Sequence, residues 1–180
     1  MITKLKLLLK HLWLDASDTA RAIPPDMLER LARRVAASER RHSGEIRICV
    51  ESSLPASYLW RLDSSHGLAA VTRERAVAMF GKLRVWDTED NNGILIYLLL
   101  AEHAIEIVAD RGVARHVTAD EWQTMVANMA GAFKEQRYED GLTQALEECS
   151  AVLMQHFELQ AGASGVQGAG NELPDTPLLK

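Results

Sequence analysis

The sequence is poor in cysteine, in positive charge and in long apolar runs, and each shortage excludes a class of protein. Its two cysteines, Cys49 and Cys149, cannot build a disulfide framework or a cysteine-rich metal site, and both are predicted to be buried thiols. The mild net charge of −5 argues against sequence-independent nucleic-acid binding, which needs a basic face. No apolar run approaches the roughly 20 residues that span a bilayer. We therefore expect a soluble, cytoplasmic globular protein without a nucleic-acid partner.

The motifs of familiar phosphatase and calcium sites are also missing. A cysteine-dependent phosphatase needs Cys-x5-Arg, but Pro55 stands at the arginine position after Cys49. No strand ends in the Asp-x-Asp of aspartate-nucleophile enzymes, and the six histidines form no paired motif. An EF-hand beginning at Asp87 would place Asn92 where glycine is required and Leu98 where the bidentate glutamate is required. Among the mechanisms of phosphate hydrolysis considered, metal-assisted hydrolysis at an acidic site is the one that these missing motifs do not exclude.

The apolar pattern that is present predicts an α/β fold. Residues 45–51 alternate between apolar and polar positions, as a strand with one packed face does. Residues 94–100 are apolar at every position except the tip of Tyr97, so this strand is predicted to be central and covered on both faces. A helical pattern lies between the two strands, and a right-handed crossover would make them parallel. The predicted fold is a three-layer α/β/α sandwich on a small mixed β-sheet.

The chain divides into three predicted segments. Residues 1–14 form an amphipathic helix, residues 15–157 the α/β domain, and residues 158–180, rich in Gly, Ala, Gln and Pro, a flexible C-terminal tail. A linker over residues 15–23 separates the first helix from the domain, whose next helix begins at Pro24–Pro25. Later helices are expected to begin at Thr72, at the capping box of Thr118 and Glu121, and near Glu139.

The N-terminal helix allows two interpretations. Its leucine stripe is flanked by Lys4, Lys6 and Lys10, and these lysines, with no small-residue cleavage site after them, argue against a signal peptide. The helix either packs on its own domain or lies on the surface of a membrane or a partner protein. We keep both alternatives, so peripheral membrane contact through residues 1–14 is one expectation.

An acidic segment before the central strand is the most informative feature. The carboxylates and amides of residues 87–92 run into strand 94–100, and residues 105–109 run out into Asp110. The short connection makes the two runs a hairpin, so both polar segments should meet at one rim of the sheet, beside the start of strand 45–51. Oxygen ligands at a rigid rim suit calcium, with magnesium as the alternative. The candidate ligands are Asp87, Asp90, Asn91, Asp110 and Glu45. The competing interpretation is an Asn-Asn-Gly turn, a surface ion pair of Asp110 with Arg111 and a solvated Glu45.

Five landmarks in order resemble the TPM domain. They are Gly44-Glu-Ile-Arg-Ile48, a helix ending at Phe80, Asn91-Asn-Gly-Ile-Leu-Ile96, Ile107-Val-Ala-Asp-Arg-Gly112, and Trp122 followed by Tyr138-Glu-Asp-Gly141. The founders of this family are plant thylakoid proteins tied to photosystem II repair and a worm acetylcholine-receptor modulator. The resemblance covers about residues 15–157. Within the family, the chain looks like a soluble bacterial branch without the usual signal peptide and membrane anchor.

The resemblance implies an α/β/α sandwich, a calcium site at the acidic rim and an acid-phosphatase activity. It assigns no individual metal ligands. The family's glycine-rich turn after the last strand is Asp110-Arg111-Gly112 here, which places a carboxylate and a guanidinium at the rim. We therefore expect a cation-binding accessory module that serves a membrane-associated protein partner. The alternatives are a weak metal-dependent acid phosphatase, with Asp110 and Arg111 as catalytic candidates and Arg111 receiving the phosphate, and a purely structural domain.

Overall fold

The computed structural model describes residues 2–62, 67–159 and 171–180, with side chains of the first helix described from residue 6 onward. The α-helices are α1 (Ile2–Trp13), α2 (Ala16–Ala22), α3 (Pro25–Glu39), α4 (Ala56–Leu59), α5 (Leu68–Lys82), α6 (Arg111–Ala114), α7 (Ala119–Lys134) and α8 (Tyr138–His156). The strands are β1 (Ile46–Glu51), β2 (Ile94–Leu99), β3 (Ala104–Ala109) and β4 (Leu178–Leu179), and a 3₁₀ turn, Leu100–Glu102, joins β2 to β3.

The sheet is mixed and has the strand order β3-β2-β1-β4. β1 and β2 are parallel, with Ile48 opposite Ile96, and β2 and β3 are antiparallel, with Ile96 opposite Ile107. The predicted hairpin and the predicted parallel pair are therefore both confirmed. Every residue of β1 and β2 is buried. Such burial explains the continuous apolar sequence of β2, since neither of its faces meets water.

Helices cover the two faces of the sheet and give a sandwich of three layers. On one face, Ile48 and Ile96 pack with α3, α7 and α8 through side chains such as Leu31, Phe133 and Leu153. On the other face, the strand residues pack with α5 and its flanking segments. The buried members of this second cluster include Cys49, Leu95, Tyr97, Val71, Ala76, Met79 and Leu173. The α/β/α class predicted from the sequence is confirmed.

A buried ion pair joins α5 to the end of β1. Arg75 on α5 donates hydrogen bonds of 2.8 and 2.6 Å to the two carboxylate oxygens of Glu51. The Tyr97 hydroxyl donates a further hydrogen bond of 2.7 Å to the same carboxylate. Burial and the adjacent carboxylate raise the pKa of Tyr97, so its hydroxyl remains a donor at neutral pH. Glu51 is therefore buried with its charge matched and both oxygens bonded.

Three expectations about local structure are wrong. The predicted linker over residues 15–23 contains helix α2, which a capping box of Asp15 and Asp18 begins. Helix α5 begins at Leu68 rather than at Thr72, whose hydroxyl donates to the Leu68 carbonyl oxygen inside the first turn. The predicted flexible tail does not extend to residues 171–180, because these lie against β1 and form β4. The remainder of the tail from residue 160 to residue 170 lies outside the described residues.

The cysteines behave as predicted. Both Cys49 and Cys149 are free and buried. Burial raises the pKa of Cys49 to about 12 and raises that of Cys149 as well. Neither thiol is a reactive thiolate at neutral pH, because reactivity requires the deprotonated form and access to solvent.

Arg75→Met should strongly destabilise the protein, because it leaves the Glu51 carboxylate buried without a counter-ion. Removing one partner of a buried pair costs about 3–5 kcal/mol. Arg33→Met is the matched control, since Arg33 pairs with Glu29 on the exposed face of α3, where a pair contributes less than about 1 kcal/mol. Chemical denaturation followed by circular dichroism measures both losses. Equal losses in the two variants would contradict the role given to Arg75.

Candidate functional site

The acidic segment is folded tightly against the end of α5. Asn91 has a left-handed backbone, with φ of 53°, a conformation that asparagine adopts more readily than most residues. Gly93 then passes so close to the turn after α5 that a β-carbon there would lie 2.0 Å from the carbonyl oxygen of Val85. Only glycine permits this approach. The turn therefore delivers the polar residues 88–92 directly to the start of β2.

Hydrogen bonds join this turn to the end of β3. The Asp110 backbone N–H donates to the Gly93 carbonyl oxygen at 2.9 Å, and the Gly112 N–H donates to that of Asn91 at 2.9 Å. The Arg111 guanidinium donates to the Asn91 side-chain oxygen at 3.0 Å. A β-carbon at residue 112 would lie 2.5 Å from the Asn91 carbonyl oxygen, so glycine is needed here as well. The two polar segments meet at one rim, as the hairpin predicts.

Two buried oxygen atoms at this rim lack hydrogen-bond donors within the described part of the chain. Asp110 is 6% exposed and uses one carboxylate oxygen to accept the Arg111 backbone N–H at 2.7 Å, which caps α6. Its other oxygen, Oδ2, has no partner. Asn92 is 1% exposed and donates its amide to the Ser43 carbonyl oxygen at 3.0 Å, while its Oδ1 has no partner. Buried acceptors without donors are costly, and a cation or an ordered water would satisfy them.

The remaining predicted ligands are distributed differently. Asp90 and Asn91 lie in the turn beside Asp110, although the Asp90 side chain is exposed and the Asn91 oxygen accepts from Arg111. Asp87 is exposed and pairs with Arg84 at 2.5 Å. Glu45 is buried, but its carboxylate accepts the backbone N–H of Leu173 at 3.1 Å. The structure thus brings Asp90, Asn91 and Asp110 to one rim and gives Asp87 and Glu45 other partners.

The described side chains form no metal-binding cluster of carboxylates, thiols and imidazoles alone. Across residues 2–62, 67–159 and 171–180, no three His, Cys, Asp or Glu side chains are grouped so that they could hold a metal ion. A cation at the rim would therefore need amide and backbone carbonyl oxygens besides Asp110. Calcium accepts such mixed oxygen ligands, whereas magnesium demands a stricter octahedron and retains water.

A second group of carboxylates, which the sequence analysis missed, surrounds the C-terminal segment. Glu39 at the end of α3 accepts the Ile46 backbone N–H at 3.0 Å. The pKa of Glu39 is raised to about 8, chiefly by burial and also by the nearby charges of Glu45 and Asp175. Burial also raises the pKa of Glu45, with Glu172 and Asp175 adding to the effect. The apolar residues of the tail were the signal for this contact, since a wholly solvated tail has no need of them.

Solved structures that are similar to this chain include two bacterial proteins. The BA42 protein from the psychrophilic bacterium Bizionia argentinensis has a TM-score of 0.65 and 23% sequence identity, and the match covers 88% of this chain and 92% of BA42. The N-terminal domain of a protein from P. gingivalis has a TM-score of 0.57 and 14% identity, with 77% and 83% covered. Likeness at such identities establishes the fold alone. No curated protein matches the chain.

The model of the TPM domain family matches residues 16–152. Because this match spans most of the sequence, the chain belongs to the TPM domain family, and the resemblance seen in the five landmarks is confirmed. As for membrane spans, none of the helices in the described ranges is both long enough and apolar enough to cross a bilayer.

The stability of the protein should fall as the pH rises from about 6.5 to about 8. The pKa of Glu39 is raised from 4.5 to about 8, so the folded state holds a proton that the unfolded state releases, and this contribution is lost on the way up to pH 8. Buried His42 changes the free energy of unfolding in the opposite direction. Its pKa is lowered to about 4, so its stabilising contribution grows as the pH rises to about 6.5 and stays constant above that.

Urea denaturation at several pH values measures this slope, and Glu39→Gln should flatten it. Glutamine keeps an acceptor for the Ile46 N–H but cannot ionise. An unchanged slope between pH 6.5 and 8 in the Glu39→Gln variant would show that another group is responsible.

Proposed function

We propose that this TPM domain is a binding module that holds a divalent cation of the calcium type at the rim formed by residues 88–92 and 110–112. The observation that carries the proposal is the pair of buried acceptors without donors, Oδ2 of Asp110 and Oδ1 of Asn92. Hard cations bind oxygen atoms of this kind, and a preformed rim lowers the entropic cost of gathering them.

Asp110 supplies the charge of the proposed site. Its Oδ1 remains on the Arg111 backbone N–H, and its Oδ2 is available to the cation. The side chains of Asp90 and Asn91 stand in the same turn as further candidate ligands. Arg111 opposes binding by its charge, and it also holds the Asn91 side-chain oxygen. We therefore expect moderate affinity, with calcium preferred because its coordination is the more flexible.

Binding is favoured over catalysis by the state of the candidate groups. Both thiols are buried with raised pKa values, so a cysteine nucleophile is not available. Of the two candidates for phosphate chemistry, Arg111 holds the Asn91 side chain, and Asp110 keeps one carboxylate oxygen on the N–H that caps α6. The acid-phosphatase alternative rests on the resemblance, and no contact among the described side chains favours it.

Calcium should raise the melting temperature of chelator-treated protein. A ligand present at 100 times its dissociation constant stabilises the native state by about 2.7 kcal/mol. Asp110→Asn should remove the effect but keep the fold, because the amide oxygen can still cap α6. Asp87→Asn is the matched control and should respond like the wild type, since Asp87 pairs with Arg84. A wild-type melting curve that millimolar calcium leaves unchanged would refute the site.

The accessory role with a membrane-associated partner draws support from α1. One face of this helix is attached to the domain, because buried His11 accepts the Leu54 backbone N–H at 3.0 Å and lies 3.1 Å from the Glu102 carboxylate. The other face presents large apolar side chains to solvent. Leu9 is 46%, Leu12 79% and Trp13 82% exposed. We propose that this face contacts an anionic membrane, with exposed Lys6 beside it.

Trp13→Ala should weaken binding to anionic vesicles, because an aromatic ring inserted into the membrane interface supplies much of the affinity of such a helix. Trp60→Ala is the matched control, since Trp60 is 72% exposed and caps the end of α4 rather than belonging to α1. Sedimentation with phosphatidylserine vesicles at low and high salt measures the difference. Wild-type protein that ignores these vesicles, or equal losses in both variants, would contradict the proposed contact.

A further inference from the structure

The C-terminal segment, residues 171–180, is held on β1 largely through its backbone. The Glu45 carboxylate accepts the Leu173 N–H, and the Arg47 guanidinium donates to the carbonyl oxygens of Pro174 and Thr176. Both Glu45 and Arg47 are buried in making these contacts. Contacts to backbone atoms do not depend on the side chains of the segment. The site therefore recognises mainly the extended backbone of a ligand, and its side-chain sequence contributes less.

The same segment adds a strand to the outer edge of β1. Leu178 and Leu179 pair in parallel with Cys49 and Val50. The Lys180 N–H donates to the Val50 carbonyl oxygen at 2.9 Å, and the Ser52 N–H donates to that of Lys180 at 2.8 Å. Without these bonds, β1 would present unpaired N–H and C=O groups, which readily pair with another extended chain.

One apolar anchor gives the site its side-chain preference. Leu173 is buried among the residues on the α5 face of the sheet, together with Cys49 and Leu54. Leu178 packs at the margin of the same cluster, while Leu179 contacts the cluster on the opposite face. A ligand for this edge needs an apolar residue at the Leu173 position and two more at the end of the strand.

Several features indicate that the segment is a modest ligand for its own site. The ladder with β1 is only two residues long. The carboxylates of Glu172 and Asp175 lie near that of Glu45, so docking brings acidic groups together. Such a segment can be displaced by a competitor that makes the same backbone contacts, provided that the competitor overcomes the effective concentration of a tethered ligand, which is of millimolar order.

We propose that the outer edge of β1 is a recognition site for an extended peptide of a partner protein, and that residues 171–180 occupy it as a competing internal ligand. The peptide adds to the sheet in parallel to β1, inserts an apolar side chain where Leu173 lies, and presents two carbonyl oxygens to Arg47. This site uses Glu45 and Arg47 rather than Asp110, and it borders the proposed cation site, because the Glu172 carboxylate of the segment accepts the Glu89 backbone N–H at 3.2 Å.

The test uses the full chain and a fluorescein-labelled peptide with the sequence of residues 171–180. Leu173→Asp in the protein places a charge in the apolar anchor site and should expel the internal segment. The labelled peptide should then bind about tenfold more tightly than to the wild type, as fluorescence anisotropy measures, because the tethered competitor is weakened. Leu159→Asp is the matched control, since Leu159 is exposed ahead of the segment, and it should bind the peptide as the wild type does.

Lys180→Pro is the second variant and decides the matter if Leu173→Asp fails to fold. It removes the N–H that pairs with Val50 and leaves the apolar core intact, so it too should tighten binding of the free peptide. A peptide that carries aspartate at the Leu173 position should not bind. Folded variants that bind the native peptide no more tightly than the wild type would overturn the proposal. Variants that instead dimerise and exclude the peptide would also overturn it, because the edge would then serve self-association.

Discussion

Burial of β1 and β2 on both faces is the constraint on which the rest of the structure depends. Two central strands with no solvent-exposed face must carry apolar side chains, or each polar side chain on them must have a hydrogen-bond or ion-pair partner. β2 follows the first course, except at Tyr97. β1 follows the second, since Glu51 is matched by Arg75 and Arg47 is matched by backbone carbonyl oxygens of the C-terminal segment. Polar groups that need solvent or ligands are consequently displaced to the two ends of the sheet.

The rim with Asp110 shows how such displacement produces a candidate site. Two glycines, Gly93 and Gly112, allow backbone segments to pass at distances that no other residue tolerates. At this rim Asn92 and Asp110 are buried, and each has one acceptor oxygen without a donor among the described residues. In a well-packed protein, unsatisfied acceptors at a rigid rim are more informative than exposed carboxylates, because they have a cost that a bound species would offset.

The apolar pattern was sufficient to predict the layers of the fold but not the partners of its charged residues. Continuous apolarity in β2 and the short turn after it defined the central strand and the hairpin, because burial and chain direction depend on local sequence. The position of Glu45 illustrates the opposite case. Its partner, Leu173, follows 128 residues later, and no local pattern reports a contact of that range. Asp87 was expected at the rim for its spacing, yet Arg84 three residues earlier is its partner.

Helix α2 was missed for a related reason. It is only seven residues long, too short for a periodic apolar stripe, and the capping box of Asp15 and Asp18 was the one local signal of its start. The C-terminal segment was likewise judged from composition, although Leu173 and the Leu178–Leu179 pair are out of place in a solvated tail. In both cases a few specific residues outweighed the average character of the surrounding sequence.

The location of β4 has a consequence for biosynthesis. Residues 171–180 are translated after every other described element, so the sheet can assemble on the ribosome before its outer edge is covered. At ordinary rates of about 5–20 residues per second, residue 180 is added roughly a second or more after α8 has been synthesised, and β1 has no β4 partner before then. During that interval a nascent chain is open to strand pairing with neighbours on the same polysome. The need for chaperones during synthesis would then depend on residues 171–180, which are the last of the described residues to be synthesised, rather than on the stability of the core.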